Sequence, residues 1–372
     1  MNYKRLKYII FCFVTITFLF SCRGKGNNMP EQKTPHTTLK NLSNDLNIVW
    51  GTSFRPDGIN DTLYKKILAQ QFNLIIPDYG MFMSHIQRKQ GEWDFSTTDE
   101  IVEFGESFGM KIRGHALIWG YDLDRYETGN WLPTPEWIHN SNFSREDMIR
   151  IMYEHIEKTM NRYGDRIREW IVVNEAVGNG QNTEMARNVW LEKLGEDYVE
   201  LAIMYADKIA PNSVLILNDF NADYLGQNAH KVNNLYNYTV KLLQKGVPVD
   251  GIGLQFHLTV GIDDPTVDDI VNNFIRYQKL GLGVYITELD IKIMEPVTQE
   301  KLMEQARLYS VIMKAVLESD ACNDITVWGY TDRYTWIHNW APGFNAPCMY
   351  DENINPKPAF NSVVETMKNY LK

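Results

Sequence analysis

Two glutamates, Glu175 and Glu288, each close a short apolar run, Trp170-Ile-Val-Val-Asn174-Glu175 and Val284-Tyr-Ile-Thr-Glu288. An ionisable group at such a position is expensive to bury unless it is paired or used. Two carboxyl groups on facing walls of one cleft are the minimum equipment for breaking a glycosidic bond: one delivers a proton to the leaving oxygen, and the other attacks the anomeric carbon or activates water. The ends of the other apolar runs are also polar or indole-bearing. They carry Arg113, His115 and Trp119, then Asn174, Asn218, Asp219, Gln255, His257, Asp290 and Trp328. Each has a purely structural alternative: a salt bridge for a lone glutamate, core packing for His115, Trp119, Trp336 or Trp340, a loop cap for Asp290.

Positioning these groups requires elements that end at one face. Eight β-rich runs follow one another at Asn47 to Phe54, Phe72 to Pro77, Lys111 to Trp119, Glu169 to Glu175, Ser213 to Asp219, Gly251 to His257, Gly283 to Asp290 and Asp324 to Gly329. Longer amphipathic stretches separate them, the pattern of a parallel sheet with crossover helices. In Ser144 to Tyr163, Met148, Ile151, Met152, His155, Ile156 and Met160 recur at helical spacing behind a Ser144/Asp147 capping box, and a last helix runs from Pro356 to Tyr370. The expected fold is α/β, a single (β/α)8 TIM barrel over residues 45–372, whose chemistry would gather at the C-terminal ends of the strands. A doubly wound sheet is the alternative. No glycine-rich phosphate loop stands at a strand-to-helix turn, which weakens its nucleotide-binding version.

Composition narrows the partner. With 37 basic against 47 acidic residues in 372, the chain is a poor candidate for nucleic acid. Its 10 Trp, 20 Tyr and 16 Phe supply aromatic faces suited to sugar rings. No CxxC or HExxH spacing points to a metal, and neither a metal nor a cofactor is expected.

The ordered motifs resemble glycoside hydrolase family 10, the retaining endo-β-1,4-xylanases. Trp170 to Glu175 resembles the family's acid/base motif and Ile286-Thr-Glu288-Leu-Asp290 its nucleophile motif. Arg113-Gly-His115-Ala-Leu-Ile-Trp119, Asn218-Asp-Phe-Asn221, Val249-Asp-Gly-Ile-Gly-Leu-Gln255-Phe-His257 and Val327-Trp328-Gly-Tyr-Thr-Asp332 are similar to further family segments in the same order, so the likeness spans about residues 45 to 370. The resemblance implies a polysaccharide substrate, xylan or a related β-glycan, and roles for single residues. Glu175 would be the general acid/base and Glu288 the nucleophile, about 5 to 5.5 Å apart as retention requires. His257 would orient Glu288, Asp290 would steady that imidazole, and Asn174 would donate to the sugar 2-hydroxyl. His115 and Gln255 would line the same subsite, with Trp119, Trp328 and Trp336 as walls.

One region departs from the family. The second strand segment usually reads Thr-Pro-Glu-Asn with Met-Lys-Trp a residue later; here stand Ile76-Pro77-Asp78-Tyr79-Gly80-Met81-Phe82-Met83. After the third strand, Trp119-Gly120 replaces Trp-His. The missing lysine and imidazole would normally hold the glycone-side sugars, and charge-assisted hydrogen bonds of that kind contribute roughly 1.5 to 3 kcal/mol each. Either the subsite takes another or decorated β-linked sugar, with Tyr79 and Phe82 stacking on it, or the barrel binds glycan more than it cuts. The loop from Tyr121 to Asn142, bearing Tyr126, Trp131 and Trp137, adds aromatic area beside the altered residues.

The first 22 residues read as an export signal. Lys4, Arg5 and Lys7 precede the apolar run Tyr8 to Phe20, too short to span a bilayer comfortably, and Leu19-Phe20-Ser21-Cys22 resembles a lipobox. Cleavage before Cys22 would leave 34 basic against 47 acidic residues and a lipid on that cysteine. A polar tether over 23–44 would follow. The expectation is an exported, monomeric, lipid-anchored protein of the cell envelope, touching the membrane only through that lipid. Cys322 and Cys348 remain in the folded region, and whether they pair is open.

Overall fold

The computed structural model describes residues 38–120, 133–181 and 184–372. Eight strands form a closed parallel barrel: β1 (Val49–Phe54), β2 (Leu74–Pro77), β3 (Lys111–Gly114), β4 (Glu169–Asn174), β5 (Val214–Asp219), β6 (Gly251–Leu254), β7 (Gly283–Met294) and β8 (Asp324–Val327). Each pairs with the next in sequence, and β8 closes the ring on β1 with Trp50 beside Ile325. Crossover helices follow the strands: α1 (Thr62–Gln71), α2 (Ser96–Ser107), α3 (Arg145–Tyr163), α4 (Tyr198–Ile209), α5 (Ala229–Gln244), α6 (Val267–Gln278), α7 (Gln299–Glu318) and α8 (Pro358–Tyr370). This is the expected (β/α)8 barrel.

Local signals explain the crossovers. Ser144 caps α3 by accepting from Asp147 N while the Asp147 carboxylate accepts from Ser144 N, so two otherwise unpaired backbone donors are satisfied. Met148, Ile151, Met152, His155, Ile156 and Met160 all turn inward. Most apolar side chains along the strands are buried, and Trp50, Trp170 and Trp190 are the largest buried side chains in the core.

Two expectations change. The tether does not extend to residue 44: Thr38 caps a helix at Leu39–Asp45 whose Leu39 and Leu42 are buried against β1 and α8, because the spacing of those two leucines makes one apolar face. Arg113 belongs to the opposite end of the barrel from the chemistry. It bridges Glu169 (2.7 Å) and Asp324 (2.6 Å), the first residues of β4 and β8, and its guanidinium lies over the Tyr285 ring at 4.9 Å. This buried, fully paired cation ties three strands together at the barrel floor.

Candidate active site

The C-terminal ends of the strands open onto a cavity of about 660 Å³. Glu175 and Glu288 both line it, with Trp119, Gln255, His257, Trp328 and Trp336. A chain of amides links the two carboxylates. Asn218 Nδ2 donates to Glu288 Oε1 (2.6 Å) and to Asn174 Oδ1 (2.7 Å), and Gln255 Nε2 donates to the same Asn174 oxygen and to Glu175 Oε1 (3.2 Å each). Two donors converging on Asn174 Oδ1 fix that amide's orientation and turn its Nδ2 toward Glu175, at 3.4 Å. Gly253 makes room for the network, since a Cβ there would lie 2.1 Å from Asn218 Oδ1.

Glu175 sits one residue beyond β4 with φ of 57°, a left-handed conformation that turns its side chain out of the strand direction. Trp119 Nε1 donates to its Oε2 at 3.1 Å. Burial first, then the negative charges of Asp219 and Glu288, push its carboxyl up to about 7, so at neutral pH much of it carries a proton. The loop behind it is clamped at Val177, two residues on. Asp219 Oδ2 accepts from Val177 N at 2.9 Å, Lys231 from α5 donates to Val177 O, and Lys231 pairs with Asp219 at 2.7 Å, both side chains being fully buried.

Opposite, Glu288 Oε2 lies 3.3 Å from His257 Nε2, and His257 Nδ1 lies 2.9 Å from Asp290 Oδ1. The second contact is electrostatic more than directional, since the ring N–H is not aligned on that oxygen. Burial alone would lower the His257 pKa, but Asp290 and Glu288 outweigh it and hold the imidazole up at about 10, as a cation. Trp336 Nε1 donates to Asp290 Oδ2 at 2.6 Å and its ring rests against His257 at 5.0 Å. The expected sequence Glu288, His257, Asp290 is thus assembled, because His257 and Asp290 are direct neighbours across two adjacent strands.

Other expected site residues fall differently. His115 does not line the cavity; it is completely buried behind Phe82, Trp119 and Trp328, with ring centroids at 5.5, 6.2 and 5.0 Å. Phe82 lines the cavity but is only 2% exposed, and its edge-on contacts with His115 and Trp119 leave it no open face as a sugar platform. Tyr79 reaches the cavity, but the Arg55 guanidinium covers one ring face at 4.7 Å and His85 lies against it at 4.8 Å, so it does not offer an open stacking face. Asp78 does line the cavity, buried and paired with Arg55 at 2.9 Å. Gly120 has a structural cause: a Cβ there would lie 2.6 Å from Asn188 Oδ1, the oxygen that caps the helix Val189–Leu194, so no imidazole fits. Trp137 is packing, donating to Gln87 O and lying against Phe143, while Tyr121, Tyr126 and Trp131 are outside the described residues, as is Cys22. Cys322 and Cys348 are separate, buried thiols.

The cavity also contains residues that strand-end reasoning had not singled out: Arg55, Asp57, His85 and Lys292. Arg55 stands immediately after β1 and was within reach of the same argument. His85 was not, because it enters from a short helix, Met83–Ile86, that no periodicity marks.

A closed (β/α)8 barrel with one carboxyl held near neutrality, a second gripped by an imidazolium and an amide, and indoles around them defines a glycoside hydrolase that works through a pair of carboxyl groups. The comparisons narrow this to one family. The glycosyl hydrolase family 10 model matches residues 38–366, and the chain belongs to that family. Similar proteins include endo-1,4-beta-xylanase B of Thermotoga neapolitana, 31% identical over 83% of this chain and 84% of its own, and endo-1,4-beta-xylanase 2 of Aureobasidium pullulans, 30% identical over 97% and 99%. Among solved structures, xylanase 10B of Thermotoga petrophila in complex with xylobiose superposes with a TM-score of 0.82 at 29% identity, covering 90% of this chain and 98% of that one.

Proposed function

We propose that this protein is a retaining endo-β-1,4-xylanase. The observation that carries the proposal is the amide network joining Glu175 and Glu288 in one cavity, with the first kept protonated and the second held by a cation. Glu175 gives its proton to the glycosidic oxygen as that bond breaks, while a Glu288 oxygen bonds to the anomeric carbon and inverts it. The aglycone leaves. Glu175, now a carboxylate, takes a proton from water, whose oxygen displaces Glu288 from the anomeric carbon with a second inversion and net retention. Asn218 and His257 hold Glu288 against rotation during both steps, which keeps the attacking oxygen on line.

The decisive experiment is reducing-sugar release from xylan with Glu288→Ala as the control, together with NMR of the first product anomer. Xylo-oligosaccharides of several lengths, released first as the β-anomer by the wild type alone, are expected. Equal signal from both proteins would leave a glycan-binding barrel, and release only from glucan or mannan would move the substrate while keeping the mechanism.

The same proposal includes where the enzyme works. Supported by the basic n-region, the apolar run and the Leu19-Phe20-Ser21-Cys22 segment, it is exported, lipidated on Cys22 and held at the cell envelope as a monomer on a polar tether. Cys22→Ala should move it from the membrane to the soluble fraction.

A further inference from the structure

The wall of the cavity formed by the ends of β1 and β2 carries polar groups that neither catalytic step uses. Arg55 pairs with Asp78 at 2.9 Å and with Asp57 at 3.2 Å, and Tyr79 donates its hydroxyl to Asp57 at 2.6 Å. Burying a guanidinium against a carboxylate, as Arg55 and Asp78 are buried, adds little stability over an apolar pair and points to another task. Among the described residues, Arg55 Nε is moreover buried with no hydrogen-bond acceptor, an unspent donor on a residue that lines the cavity. The lysine and imidazole that the family pattern places at 82 and 120 are absent, yet a guanidinium and an imidazole return to the cavity from positions 55 and 85, on other segments of the chain.

We propose that Arg55, Asp57 and His85 form a substitute glycone-side subsite that accepts a neutral, hydroxyl-rich sugar and disfavours one bearing a carboxylate. This rests on the glycosidase reading and adds the substrate's charge to it. Adjacent hydroxyls on a sugar need a donor and an acceptor side by side, and the Arg55 fork with the Asp57 carboxylate supplies both in fixed geometry. Tyr79 is a positioning residue: its hydroxyl holds Asp57, and its ring supports the guanidinium. His85 lies beside them as a neutral ring, since burial first and then the Arg88 and Arg55 charges lower its pKa to about 4, and a neutral imidazole can accept as well as donate. Asp57 and Asp78 both engage the Arg55 guanidinium, so a uronate substituent would find that cation already paired and would be repelled by the Asp57 carboxylate beside it.

The test compares initial rates on three substrates: a linear xylo-oligosaccharide ladder, the same ladder carrying a glucuronate branch, and an aryl β-xyloside that occupies only the catalytic subsite on the glycone side. Arg55→Met should lower kcat/KM on the linear ladder by about 10- to 100-fold, mainly through KM, and the loss should exceed that on the aryl xyloside by about tenfold or more. Asp57→Asn should narrow the preference for the linear over the branched ladder by about tenfold, and Arg55→Lys should recover part of the Met loss. A melting curve recognises an unfolded variant independently of activity, and Arg55→Lys and Asp57→Asn then decide. Equal proportional losses on ladder and aryl xyloside, or an unmoved preference in Asp57→Asn, overturn the proposal. If the wild type cleaves a β-glucan ladder and no xylan one, the xylanase reading fails separately, and the same ratios on the glucan ladder test the subsite.

Discussion

The two halves of the cavity are built on different principles. Around β4 to β7 each catalytic side chain is fixed by a partner from another strand of the barrel: Asn218 on Glu288, Gln255 on Glu175, Asp290 at His257. Around β1 and β2 the partners lie mostly within the loops themselves, Arg55 with Asp57 and Asp78, Tyr79 with Asp57. The difference teaches which contacts are tied to the barrel's register and which are free to change with the substrate. A strand-to-strand contact cannot be altered without disturbing its neighbour, whereas a loop can be rewritten as a unit.

Removing the nucleophile should break the first half outright. Glu288→Ala is expected to cut kcat on xylan by on the order of 10⁴-fold or more, since it removes the oxygen that bonds to the anomeric carbon. Stopped assays with a sensitive product readout check this, and a melting curve close to wild type separates lost chemistry from lost fold. Glu175→Gln should cost less, about 10²- to 10⁴-fold on xylan. With a dinitrophenyl glycoside, whose leaving group needs no proton, the first step should survive and a burst of dinitrophenol should appear as the covalent intermediate accumulates. No burst would argue against general acid catalysis by Glu175.

The legibility of the molecule in its sequence follows the same division. The barrel and the glutamate pair could be foreseen, because strand periodicity and the polar ends of apolar runs are local signals and the closed barrel converts them into one site; the His257–Asp290 contact was implied by the family resemblance. Arg113 was placed at the wrong end for an instructive reason: a charge within a short strand faces either mouth, and only the positions of Glu169 and Asp324 reveal which. His115 occupies its expected strand end, yet Phe82, from another segment, covers it. Arg55, immediately after β1, was legible as a strand end, whereas His85 was not, since its placement depends on how the loop after β2 folds over the cavity.

Gly120 sharpens the comparison from the second half. Restoring an imidazole with Gly120→His should not improve catalysis, because its Cβ would overlap the Asn188 side chain and disturb the cap of the helix Val189–Leu194. The expected result is a loss of about 1–3 kcal/mol in a denaturant titration, the usual cost of overpacking. A Gly120→His protein that is as stable as wild type and more active on xylan would show instead that the loop yields.

The smallest effect tests the joint between the strands and the acid/base. Glu175 is held at about 7 by burial and by the charges of Asp219 and Glu288, with Gln255 and Lys231 acting in the other direction. The basic limb of kcat/KM should therefore fall near pH 7, because above it Glu175 has lost the proton it must donate. Asp219→Asn removes a negative charge that raises the Glu175 pKa while leaving the Lys231 cation that lowers it. The lost charge favours the carboxylate, so the basic limb should move to lower pH, by about 1 unit, which corresponds to about 1.4 kcal/mol of altered interaction. A merely structural defect would scale the rate at all pH values without moving the limb. Asp219→Asn/Lys231→Met should return it toward the wild-type position, since the double replacement leaves no net charge behind Val177, and a limb that stays displaced in the double variant would assign the shift to movement of the loop and not to charge.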